Sequence, residues 1–156
     1  MLAANYNTLV TYFKDFAEAQ EAPFSYGDTE RLVNLTTNTP AENYPVVHLE
    51  KPLWKPTDNE AGNLMIRFTG SVVILSKYSD EGDEETNDTS KLTAETAAFD
   101  LMVELIKQLN HDRNANKFVL DLNALSGEPV FEGWLNNHLG WKLYFHLDFY
   151  ANNRLC

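Results

Sequence analysis

Residues 64–77, LMIRFTGSVVILSK, constrain the fold more than any other stretch, because side chains along an extended chain point alternately to opposite sides. Leu64, Ile66, Phe68, Val72 and Ile74 project to one side, with Gly70 among them, while Arg67, Thr69, Ser71 and Lys77 punctuate the other. The alternation predicts a long, half-buried strand. A second segment repeats the pattern at the other end of the chain. Trp141, Leu143, Phe145, Leu147 and Phe149 share one face, and Lys142, Tyr144, His146, Asp148 and Tyr150 share the other. Two such strands require a sheet with an apolar layer against it.

At 156 residues the chain predicts a single domain over 1–156, large enough to bury about two-thirds of the surface its unfolded form exposes. The 44% hydrophobic and 12% aromatic content marks a globular chain despite a formal charge of -11. Only 12 Lys and Arg stand against 23 Asp and Glu, which argues against a nucleic-acid binder that tracks phosphates. Cys156 is the one cysteine, so no internal disulfide is expected. No apolar run approaches the roughly 18 to 20 residues of a membrane span, and MLAANYNTLVTYF lacks the basic start and apolar core of a signal peptide. The expectation is cytoplasmic synthesis, with no membrane partner. The glycosylation triplets at Asn34 and Asn87 are short enough to arise by chance and carry no weight.

Along the chain, Leu2, Tyr6, Leu9, Val10, Phe13, Phe16 and Ala17 fall at helical spacing and predict an amphipathic helix packed on the sheet. Pro23 and Gly27 then break the pattern, with Phe24 and Tyr26 expected to anchor a loop. Arg31–Leu35 reads as a short strand, Asn38–Asn43 as a turn, and Tyr44–Glu50 as a strand entered through Pro45. Lys51–Gly62, with Pro52 and Pro56, is expected to be irregular, its Trp54 pinned to the body. Thr93 is placed to cap a helix carrying the stripe Ala98, Leu101, Met102, Leu105, Ile106 and Leu109, ended by Asn110 and His111. Lys117–Leu122 and Val130–Leu135 read as strands joined by a polar connection through Gly127 and Pro129.

Asp80, Glu81, Asp83, Glu84, Glu85 and Asp88 form the densest charge run. Their order lacks the alternation and closing glutamate of a calcium loop, and mutual repulsion predicts a flexible acidic loop over 79–90, with weak divalent binding or contact to a basic partner as the lesser alternatives. His146 and Asp148, two apart on one strand face, are the nearest approach to a catalytic pair, followed by His48 and Glu50. Neither comes with a recognisable nucleophile. There is no Gly-rich phosphate loop, GxSxG elbow, HExxH or paired CxxC. The residues therefore predict no catalytic centre, no metal, no cofactor and no small-molecule substrate.

The sum is an α+β domain: an antiparallel or mixed sheet with two main helices on one face. Met65, Val73, Leu75, Tyr144 and Tyr150 leave apolar surface on the other face, which suggests packing against another subunit. The helix ending at Phe24-Ser-Tyr-Gly27, the YPVVHLE strand at 44–50, the long strand with its acidic break, the ETAAFDLMVELIKQL helix and the closing HLGWKLYFHLDF strand together resemble the small tail-completion or tail-terminator proteins of long-tailed phages and prophages. The resemblance lies in the layout of most of the chain. It implies a non-enzymatic structural subunit of a virion or tail-like particle, assembling as a homo-oligomeric ring and touching other tail or neck proteins. Lys142, Tyr144, His146, Asp148 and Tyr150 are the interface candidates on the closing strand. Two other readings stand beside it: a small enzyme using His146 and Asp148, which requires a pocket, and a monomeric ligand-binding or regulatory module, which requires a deep apolar cavity between helices and sheet.

Overall fold

In the computed structural model, which describes residues 5–58, 62–130, 135 and 137–151, the stretch Leu64–Lys77 is a single strand at the centre of a mixed sheet. In chain order the strands are β1 (Phe24–Gly27), β2 (Val46–Glu50), β3 (Leu53–Asp58), β4 (Leu64–Lys77), β5 (Ser126–Val130) and β6 (His138–Tyr150). The helices are α1 (Tyr6–Ala19), α2 (Thr29–Asn38) and α3 (Glu84–Asn114). The sheet runs β1-β2-β4-β6-β5, with β1 and β2 parallel and the other neighbours antiparallel. One edge of β4 is shared: β2 pairs with 72–75 and β3 with 64–69. Between them the chain passes so close to β4 that a Cβ on Gly70 would lie 2.9 Å from the Pro52 Cβ and 3.1 Å from the Phe145 ring. Glycine at position 70 makes that crossing possible.

The register of β4 on β6 sets Phe68 opposite Leu147, Gly70 opposite Phe145 and Val72 opposite Leu143, so the two apolar faces coincide. Helices α1 and α3 cover this face with Leu9, Phe13, Phe16 and Ala17 from one, and Ala98, Leu101, Met102, Leu105 and Leu109 from the other. Aromatic rings fill the space between the layers: Phe13 meets Phe145 at 5.1 Å and Phe118 meets Phe149 at 5.7 Å between centroids. Each such buried side chain contributes about 1.5–3 kcal/mol. At the far end of α3, Asp112 accepts hydrogen bonds from Tyr12 (2.9 Å) and Gln108 (2.7 Å) and pairs with Lys117 (2.7 Å), tying helix to helix.

Several segments depart from the sequence reading. Phe24 and Tyr26 lie in β1 instead of a loop. Arg31–Leu35 is the middle of α2, capped by the Asp28 side chain, and not a strand. Leu32 of α2 packs with Val46, Val73, Leu75 and Val130, so Val73 and Leu75 are covered by this chain's own helix and offer no surface to a partner. Met65 is buried as well. Lys51–Gly62 contains β3, and Trp54 stands out from the body. The acidic loop expected over 79–90 is only partly loop: Asp83 caps α3, and Glu84, Glu85 and Asp88 occupy its first turns, where carboxylates are favoured by the positive end of the helix dipole. Thr93 is therefore inside the helix, which continues past His111 to Asn114. Lys117–Leu122 forms only an isolated bridge, Val119 to Asp148, and the connection read through Gly127 and Pro129 is β5. The strand expected over Val130–Leu135 falls mostly outside the described residues.

Candidate functional site: the open face of the sheet

Helix α2 roofs the end of the sheet near Val73 and Leu75, and among the described residues no helix packs over the part of that face around Arg67 and Thr69. Strand register arranges this open face in rows. Leu53, Thr69 and His146 form one row, and Lys55, Arg67 and Asp148 the next. Ser71 and Tyr144 lie beside Ser126, with Lys142 opposite Glu128 one step further along. The five residues expected at the interface, Lys142, Tyr144, His146, Asp148 and Tyr150, share this face as their alternation requires.

Their charges are largely matched within the chain. Arg67 donates Nε to Asp148 Oδ1 at 2.6 Å and a terminal nitrogen to Oδ2 at 2.7 Å, a bidentate pair around a nearly buried carboxylate. Lys142 Nζ lies 2.8 Å from Glu50 Oε2, which also accepts a hydrogen bond from Ser71. Burial works to raise the Glu50 pKa, but the hydrogen bonds from Lys142 and Ser71 prevail and hold the carboxyl below its usual range. The Lys142 ammonium also sits 5.2 Å from the centre of the Tyr144 ring, and the Tyr144 hydroxyl donates to Glu128 at 2.6 Å. Tyr144 remains 37% exposed, and His146, in hydrogen-bond contact with Thr69 at 2.9 Å, is exposed too. What this face offers a partner is the Tyr144 ring, the His146 imidazole and, from β3, the exposed Leu53 and Lys55.

Both histidine–acid pairs are engaged elsewhere. Asp148 gives both oxygens to Arg67 while His146 turns to Thr69. His48 is buried, with Nδ1 2.7 Å from Ser25 Oγ and no hydrogen-bond partner for Nε2 among the described residues. Burial lowers its pKa, against the opposing pull of Glu50 and Asp28. Among the described residues no group of three or more His, Cys, Asp or Glu could hold a metal, and no helix is long and apolar enough to cross a membrane.

The acidic candidates lie elsewhere. Asp80, Glu81 and Asp83 precede α3 and Glu84, Glu85 and Asp88 open it, beyond the Lys77 end of β4, whereas the open face centres on the other half of that strand. The sequence reading missed the most exposed apolar side chains among the described residues: Leu53 at 77% and Trp54 at 64% on β3, and Leu92 at 65% and Phe99 at 48% on α3, Phe99 resting its ring against Trp141. Leu53 shares the open face, and Trp54 points to the opposite one, beside a hollow of about 560 Å³ lined by Tyr6, Pro52, Ile66 and Phe68. An apolar pair embedded between two prolines was the available signal. The chain matches no protein-family model, and no curated protein and no solved structure is significantly similar to it.

Proposed function

We propose that this chain is a non-enzymatic assembly subunit, of the tail-completion or tail-terminator kind that its element order resembles, working through contacts made by the exposed surfaces of its sheet. One observation carries the reading: β3, an edge strand paired with β4 along its whole length, holds Leu53 and Trp54 out into solvent on opposite faces. Hydrophobic side chains on ordered backbone cost little further entropy when a partner covers them, and tryptophan is enriched among the residues that dominate binding energy. Lys55 and Pro56 on the same strand oppose edge-to-edge strand pairing, which favours contact through side chains over addition of a further strand. The interior supports the same view. The layer between helices and sheet, where a ligand-binding module would keep a cavity, is packed with aromatic rings.

Sedimentation velocity of wild type beside two double variants tests the reading. Leu53→Ser with Trp54→Ser weakens association by about thirtyfold or more, the effect of losing roughly 2 kcal/mol at a contact of this kind. Tyr144→Ser with Tyr150→Ser has a smaller effect, because the Tyr144 hydroxyl is already committed to Glu128. Variants that both sediment as assembled wild type would overturn the role given to the sheet surface.

A further inference from the structure

Resting on that reading of an assembly subunit, we infer that the partner of β3 is a second copy of this chain, and that it contributes the outer side of its α3. Two surfaces on one molecule fit each other in chemistry and differ in position. The first is β3 and its approach, where Leu53 and Lys55 share the open face of the sheet, Trp54 stands on the opposite face and Lys51 precedes them; both lysines are exposed, and Lys55 has no described acidic partner. The second is a stripe on α3 in which Glu85, Asp88, Leu92 and Phe99 follow one another at intervals of three, four and seven residues, the spacing of one helix face. Its start is ringed by Asp83, Glu84 and Thr89, so carboxylates surround an exposed leucine. Each surface thus sets an exposed leucine, Leu53 on one and Leu92 on the other, beside one sign of charge, and the signs are opposite.

Their placement determines what such a contact builds. Strand β3 lies along the Leu64 end of β4, whereas α3 starts beyond its Lys77 end. Tyr78, Ala94 and Leu139 pack together there and hold the helix in place. Leu53 and Trp54 pair with Thr69 and Phe68, eight and nine residues from Lys77, which sets β3 about 25–30 Å along the strand from the start of α3. A chain cannot satisfy its own pair of surfaces across that span. Two different surfaces set apart on one molecule make a head-to-tail interface, which repeats from copy to copy and closes into a ring when the rotation permits. The hollow between α1 and α3 lined by Glu21, Glu42, Asp100 and Glu104 has acids without exposed apolar anchors and gives β3 nothing to bury against.

Charge exchange tests the pairing. Lys51→Glu with Lys55→Glu reverses one surface, and Glu85→Lys with Asp88→Lys reverses the other. Each double variant alone presents like charges across the contact and associates about tenfold more weakly or worse. An equimolar mixture of the two restores opposite signs at every junction and returns association to near the wild-type level, as does one chain carrying all four changes. Rescue by mixing separates a lost contact from a misfolded variant. Wild-type assembly that persists in both double variants, or loss without rescue on mixing, overturns the pairing while leaving assembly intact. A wild-type chain that stays monomeric at every concentration overturns the assembly reading and the pairing together.

Discussion

Replacing Gly140 with alanine probes the register that places every residue of the open face. Gly140 lies opposite Leu75 where β6 crosses β4, and a Cβ built on it falls 1.9 Å from the Ile74 carbonyl oxygen and 2.9 Å from both the Ile74 carbonyl carbon and the Leu75 Cα. All three atoms are backbone, so no side chain can swing aside. Restoring even 3.0 Å to the closest contact requires the strands to part by about 1 Å. A ladder hydrogen bond near 2.9 Å then stretches beyond useful length. Losing about two such bonds, each worth roughly 1 kcal/mol, and leaving one buried group unsatisfied gives a cost of about 3 kcal/mol. For a chain of this size that is a drop in Tm of roughly 6–12 °C. Gly127→Ala is the control: its Cβ would sit 3.8 Å from the Lys142 carbonyl oxygen, an ordinary contact, and its melting point should be unchanged or slightly raised. Thermal melts followed by far-ultraviolet circular dichroism at low protein concentration read both. Equal melting points for the two variants would refute the close approach of β6 to β4 at this position.

Other consequences follow from the same geometry. Asp148→Ala strips Arg67 of its bidentate partner and should lower unfolding free energy by about 1.5–3 kcal/mol in urea titrations, whereas a change below about 0.5 kcal/mol would mean the pair is not formed in solution. Burial keeps His48 below its ordinary pKa of 6.5, so just below pH 6.5 the unfolded chain binds a proton that the folded chain refuses. Stability should be fully present above that pH and decline as pH falls through the window, by at most about 1.4 kcal/mol per unit. His48→Gln should flatten this part of the profile, and an identical slope in both proteins would contradict it. Asp83→Ala removes the side-chain acceptor for the Thr86 amide, so hydrogen exchange should accelerate over 84–90 while the core of α3 near 98–109 keeps its protection.

The strands that carry the site were the legible part of the sequence, because alternation in 64–77 and 141–150 is a direct record of a half-buried sheet. The helical stripe at 98–109 was equally plain. Shorter elements were lost to ambiguity. Leu32, Val33 and Leu35 form an apolar cluster too brief for its period to separate helix from strand, although Asp28 as a cap and Glu30 in the first turn pointed to α2. The acidic run misled because repulsion was weighed without the helix dipole, which favours acids at that end. Prolines at 52 and 56 suggested an irregular connection, yet an edge strand tolerates them, and that misreading hid Leu53 and Trp54. The interface candidates on β6 could be grouped on one face from sequence alone. That Asp148 and Lys142 are occupied by Arg67 and Glu50 depended on the pairing of distant strands, which no local pattern records.

The mass of the wild-type particle tests the central claim most directly. Native mass spectrometry over a range of protein and salt concentrations should find one closed multiple of the 17.8 kDa subunit, weakening as ionic strength rises because charged surfaces contribute to the contact. A single species at 17.8 kDa under every condition, with Leu53 and Trp54 intact, would contradict it.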